Sequence, residues 1–150
     1  MKQVAVILSG SGVFDGAELH EAVLTLLAIE QEGASYQCFA PDVNQLHVVN
    51  HLTGEVSEGE TRNVLVESAR IARGDIKPVT ECDVTAFDTL ILPGGFGAAK
   101  NLCTFAVDGE NCNFNEEVLT VCKAFAQVKK PAAYACIAPA LVSKVYGHKT

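Results

Sequence analysis

Six cysteines and a small set of carboxylates are the side chains here that could do covalent or proton-transfer chemistry without a metal. One cysteine is set apart by its surroundings. In Ala133-Tyr134-Ala135-Cys136-Ile137-Ala138-Pro139 a buried apolar run turns directly into a helical pattern at Cys136. A side chain at such a junction is lifted to the rim of a sheet, the arrangement that exposes the nucleophile of hydrolase elbows. The adjoining helix start favours the anionic form of a thiol. Pro139 costs little in a first turn, where N–H groups lack intrahelical partners anyway. The competing reading is a small buried apolar residue, the usual fate of a free cysteine. Cys38 lies inside a strand pattern and Cys122 on an apolar helix face, so both read as packing. Cys82, Cys103 and Cys112 fall in loops or at element ends, with no identifiable activating partner.

Two glycine-rich turns accompany the cysteine. Pro93-Gly94-Gly95-Phe96-Gly97 follows an apolar run, and its glycines let backbone N–H groups approach a ligand closely. Ser9-Gly10-Ser11-Gly12 follows another, but it lacks the third glycine of a dinucleotide fingerprint, and no Walker loop occurs. Both turns are equally readable as tight strand-to-helix connections. Glu18 has two readings as well. It stands three residues after Asp15, where it can close a capping box, or it can trade a proton with a thiolate at the same sheet edge. His20 is set two residues on and is expected to face away from Glu18. His47 and His51, in an irregular stretch, read as surface or structural residues. No Cys-x-x-Cys pair and no Cys/His cluster at zinc spacing is found, so neither a metal nor another cofactor is expected.

The elements that must position these groups alternate strand and helix. Val4 to Leu8 is a continuous apolar run suited to a strand covered on both faces. Asp15 is the expected N-cap of a helix whose Leu19, Ala22, Val23, Leu26 and Leu27 follow helical spacing, closed by Gly33. Tyr36–Ala40 is a second strand. Residues 43–60 blur, with a short strand near His47-Val48-Val49 and a turn at Leu52-Thr53-Gly54-Glu55. A helix spans about 62–73, a strand 89–92, a helix about 115–130, a strand 132–135 and a helix 137–146. This order predicts an α/β fold, a flavodoxin-like doubly wound parallel sheet in a three-layer αβα sandwich, as one domain over 1–150. Ligands of such sheets sit at the carboxyl ends of the strands, where the three turns above meet.

Composition narrows the function classes. The chain has 150 residues, 49% hydrophobic and 19% charged, with 11 basic against 18 acidic side chains and a formal charge of −7. Nucleic acid and anionic membranes select clustered Lys and Arg, so neither is an expected partner. No apolar run reaches membrane-helix length, and the one after Lys2 is too short for a secretory signal. Scattered cysteines in a chain with an adequate core read as reduced thiols, and a cytoplasmic location is expected.

Several segments together resemble a known family. They are Val6 to Glu21 (VILSGSGVFDGAELHE), Asn50 to Glu55 (NHLTGE), Glu60 to Leu65 (ETRNVL), Pro93 to Leu102 (PGGFGAAKNL) and Cys136 to Ala140 (CIAPA). Spread over nearly the whole chain, they resemble the PfpI-like superfamily of class I glutamine-amidotransferase-like domains, most closely its ElbB branch, whose members carry isoprenoid-biosynthesis or glyoxalase names. The resemblance implies Cys136 as nucleophile with Glu18 as its acid/base partner, in a protein that is commonly a homodimer. It also implies a glyoxalase-type conversion of glyoxal, a small reactive aldehyde, to glycolate without glutathione. Oxyanion binding would fall to the glycine turn (Gly94, Gly95) and to Ile137. Ile137 stands where many superfamily members carry histidine, which disfavours a Cys-His dyad. The chain stops at His148-Lys149-Thr150, before the amidotransferase triad partners, so the C-terminal part of the fold is expected to be missing. A non-catalytic redox sensor with an oxidation-prone Cys136 is the alternative of a different class.

Overall fold

The computed structural model describes residues 1–147. Gln3–Ile7 forms β1, and its alternating side chains serve two cores: Val4 and Val6 face one side of the sheet, Ala5 and Ile7 the other. The chain continues through α1 (Leu19–Gln31), β2 (Ser35–Ala40), a small hairpin of β3 (Val49–Asn50) and β4 (Glu55–Val56), α2 (Val64–Ala72) and β5 (Ile76–Pro78). It then crosses to β6 (Thr89–Leu92), α3 (Phe96–Lys100), α4 (Phe105–Asp108), α5 (Glu116–Gln127), β7 (Ala132–Tyr134) and α6 (Val142–Tyr146). The main sheet is wholly parallel in the order β5-β2-β1-β6-β7. From β1 the chain winds outward one way to β2 and β5, then returns to add β6 and β7 on the other side. The switch point therefore lies between β1 and β6, and the turns that follow these strands diverge there.

Helices cover both faces. The α1–α2 layer packs Ala22, Leu26, Ile29 and Ile71 on Val4, Val6, Leu8 and Cys38. On the opposite face Ala98, Leu102, Val118, Val121, Cys122, Phe125, Ala138 and Leu141 close over Ala5, Ile7, Leu90 and Leu92. The three-layer α/β sandwich is thus present, but the expected loss of its C-terminal part is corrected. α5, β7 and α6 are all folded: β7 pairs with β6 from Leu90↔Ala132 to Leu92↔Tyr134, and α5 with the segment after Cys136 fills the second core. His148, Lys149 and Thr150, at which the early stop was expected, lie outside the described residues.

Other expectations change in detail. α1 buries Ala22, Leu26 and Ile29, while Leu19, Val23 and Leu27 are about half exposed, at 44%, 50% and 46%. Helical spacing marks an apolar stripe but not which part of it the sheet will cover, and here the stripe is broader than the contact. β5 had no periodic signal, because only three residues pair and Pro78 ends them at the sheet edge, where a missing N–H costs nothing. The expected continuous helix after Cys136 is instead a 3-10 turn over Ala138–Leu141 running into the short α6.

Candidate functional site

Cys136 sits one residue beyond the β6–β7 ladder, which Ala135 N–H extends by donating to Leu92 C=O at 2.9 Å. Its backbone then turns left-handed, at φ +54°, before Ala138 N–H closes a turn on Ala135 C=O. A non-glycine residue in this region costs of order 1–3 kcal/mol and is held there only by its surroundings. The result is an exposed cysteine at the end of the sheet's edge strand. The other thiols differ. Burial pushes Cys38 up to about 12 and Cys122 to about 11, as packing residues should behave, and Cys82 to about 11.

The glycine turn after β6 lies directly against the cysteine. A Cβ on Gly94 would collide with Cys136 Cβ and with Glu21 Oε2, so only glycine permits this approach. Gly95 follows at φ +97°. Two further hydrogen bonds tie this turn to the one after β1: Phe96 N–H donates to Val13 C=O at 2.8 Å and Gly97 N–H to Gly16 C=O at 2.9 Å. The first loop is itself braced by Asn101, which donates to Ser9 C=O and Asp15 C=O, and by Lys100, which donates to Phe14 C=O. Both residues belong to the Pro93 to Leu102 segment singled out above, but their bracing role had no local signal, since each acts across about ninety positions of chain.

Which carboxylate faces the cysteine follows from the start of α1. Glu18, not Asp15, is the N-cap: it is extended, and its Oε2 accepts from Glu21 N–H at 2.7 Å. Asp15 is 4% exposed and accepts instead from Val49 N–H at 2.7 Å, holding the β3–β4 hairpin to the loop. In a capping box the acid at the third helical position reaches back to the N-cap N–H. Here Gly94 C=O already takes the Glu18 N–H, at 2.9 Å. Glu21 is thereby released, and its Oε2 accepts from Gly94 N–H at 2.9 Å, beside Cys136. Glu18 Oε1 instead lies 3.1 Å from His20 Nδ1, contrary to the expectation that the two diverge; the N-cap residue is outside the helix, so helical spacing does not apply to it. The one signal for Glu21 was its place three residues after Glu18, on the same turn.

Of the expected oxyanion donors, Gly94 N–H is occupied by Glu21. The N–H groups of Gly95 and Ile137 have no hydrogen-bond acceptor among the described residues. The arrangement therefore gathers an exposed cysteine, two free backbone donors and a carboxylate around the glycine turn at the carboxyl ends of β6 and β7. Among the described residues no helix is long and apolar enough to cross a membrane.

The capping role of Glu18 makes a stability prediction. The Glu21 N–H donated to it, opposed by burial and aided by His20, holds its carboxyl below the usual glutamate range. A group depressed in the folded state stabilises above its unfolded pKa, and that contribution fades as pH falls through the folded value. Glu18→Ala is expected to cost about 1 kcal/mol at neutral pH, with the gap to wild type narrowing below about pH 4. Urea unfolding at both pH values measures this; a gap absent at neutral pH, or unchanged in acid, would count against the cap.

A parallel doubly wound sheet with a left-handed cysteine at a strand-to-helix junction defines an elbow-type α/β protein. No family model matches the chain. It is 55% identical over 143 residues to human glutamine amidotransferase-like class 1 domain-containing protein 3, mitochondrial, covering 95% of this chain and 53% of that protein. It is 38% identical over 146 residues to the zebrafish (Danio rerio) ES1 protein, mitochondrial, covering 95% of this chain and 54% of the relative. The crystal structure of an isoprenoid biosynthesis protein with amidotransferase-like domain from Ehrlichia chaffeensis superposes with a TM-score of 0.89 at 42% identity, over 97% of this chain and 66% of that one. The chain belongs to the PfpI/DJ-1-like, glutamine-amidotransferase-like superfamily, in its ElbB/ES1-like branch. It spans about half the length of the curated relatives it matches. Both relatives are named as mitochondrial, which overturns the expected cytoplasmic location; reduced thiols and acidic charge do not distinguish one reducing compartment from another.

Proposed function

We propose that the chain carries a cofactor-independent cysteine site of glyoxalase type, in which Cys136 is the nucleophile and Glu21, rather than Glu18, moves the proton. The observation that carries the reading is the contact of Gly94 with both side chains, its N–H on Glu21 Oε2 and its Cα against Cys136. The Cys136 thiolate adds to one aldehyde carbon of glyoxal, forming a C–S bond and an oxyanion. The free N–H groups of Gly95 and Ile137 are available to hold that charge, which is protonated to give the hemithioacetal. Glu21 removes the hydrogen from the sulfur-bearing carbon as a proton, giving an enediol-like species, and returns it to the neighbouring carbon. A glycolyl thioester remains. Water adds to its carbonyl, the C–S bond breaks, and glycolate and free Cys136 are released. No step requires a metal, glutathione or a histidine beside the cysteine.

The test follows glycolate formed from glyoxal by the purified chain without added thiol. Turnover above buffer that is lost on alkylating Cys136 supports the reading. A background rate, with Cys136 oxidised by mild peroxide ahead of the other thiols, would replace it with the redox-sensor alternative.

A homodimer belongs to the same proposal. Leu19, Val23, Leu24 and Leu27 give α1 an outward apolar face beside the site, in keeping with self-association. Sedimentation velocity at micromolar concentration is expected to give the mass of two chains; a single-chain mass would remove this part.

A further inference from the structure

Away from the elbow, two other thiols are brought to the same side of one paired segment. After α3 the chain runs through Leu102, Cys103 and Thr104, loops out through α4, and returns as Cys112, Asn113, Phe114 and Asn115. The two passes pair antiparallel, with Cys103 opposite Phe114. Asn115 N–H donates to Leu102 C=O and Thr104 N–H to Asn113 C=O, each at 2.9 Å. Across such a pair, residues two along share a face, so Cys112 lies on the diagonal from Cys103, on the same side. Cys112 is itself extended, at φ −64° and ψ 149°, so the alternation of faces carries back to it from Phe114. Cys103 is 2% exposed, with its Sγ also set to donate to Ala98 C=O at 3.4 Å, while Cys112 is only half-buried. Every residue from Phe105 to Asn111 is exposed, so the connecting loop can shift to bring the sulfurs to bonding distance without disturbing the core.

We propose that Cys103 and Cys112 are a reversible dithiol–disulfide pair that closes when the protein meets a hydroperoxide. The accessible sulfur, Cys112, attacks a peroxide oxygen; an S–O bond forms, the O–O bond breaks, and one water leaves, making a sulfenic acid. The Cys103 sulfur then attacks Cys112 sulfur. An S–S bond forms, the S–O bond breaks, and the hydroxyl leaves with the Cys103 proton as a second water. Two thiols are oxidised and one hydrogen peroxide is reduced to two waters. The closed loop forms one wall of a cleft whose other wall includes Pro139 and Ala140, just beyond Cys136. Oxidation thus stiffens a segment beside the elbow without using its cysteine, and the inference stands whether or not Cys136 turns over an aldehyde.

The experiment treats the protein with hydrogen peroxide, alkylates all remaining thiols after denaturation, and digests with a protease cutting after glutamate. Glu110 lies between the two cysteines, so their fragments separate unless they are linked. The expected result is one linked species carrying both fragments, lighter by two hydrogens and parted by dithiothreitol. In Cys112→Ser, changed at a half-exposed position, Cys103 is expected to stay fully alkylatable under the same treatment. Recovery of alkylated Cys103 from treated wild type, or its linkage to Cys122 or Cys136 instead, would overturn the proposal.

Discussion

Cys136→Ser is expected to lower glycolate formation from glyoxal by roughly 10³-fold or more, the scale on which removing a nucleophile acts in other covalent enzymes. Serine preserves the shape of the side chain but not its reactivity. No histidine adjoins position 136 to activate a hydroxyl, because Ile137 stands there. Because the side chain is exposed, the substitution removes little packing, and the unfolding midpoint is expected to stay close to wild type. A loss of rate at unchanged stability thus reports on chemistry. If the serine variant keeps its rate within tenfold of wild type, Cys136 is not the nucleophile, whatever its backbone geometry.

Glu21→Gln is expected to reduce kcat by about 10²- to 10⁴-fold, the usual contribution of a positioned acid/base group. Glutamine retains an oxygen able to accept the Gly94 N–H, so the link between α1 and the glycine turn survives and only the titratable proton is lost. Glu18→Gln, at a cap whose carboxylate is taken up by Glu21 N–H and His20, should stay within a few-fold of wild type. The pair of variants separates two glutamates one helical turn apart. A slow Glu18→Gln enzyme beside a fast Glu21→Gln enzyme would return the proton-transfer role to Glu18 and leave Glu21 a structural tie.

The parts legible beforehand share a physical character. β1 is a short apolar run because it is covered on both sides, and α5 begins at Asn115, whose side chain accepts from Val118 N–H as a capping residue should. Cys136 stood out because an abrupt passage from strand to helix leaves a local mark in the residue types. Illegible were β5, with three paired residues at an edge, and α4, a single turn. The face of α1 that would be buried was also hidden, since hydrophobic spacing records an apolar stripe and not what covers it.

The amino-acid order by itself determined the alternation of strands and helices, the parallel sheet and the cysteine at its rim, because periodicity, caps and breakers act over a few neighbouring residues. Only the tertiary structure decided which glutamate reaches that cysteine. The Gly94 C=O, more than seventy residues along, takes the Glu18 N–H that Glu21 would otherwise have bonded, and so turns Glu21 toward the site. A hydrogen bond between loops that meet only when β1 and β6 lie side by side leaves no trace in local sequence, and the same holds for Cys103 and Cys112.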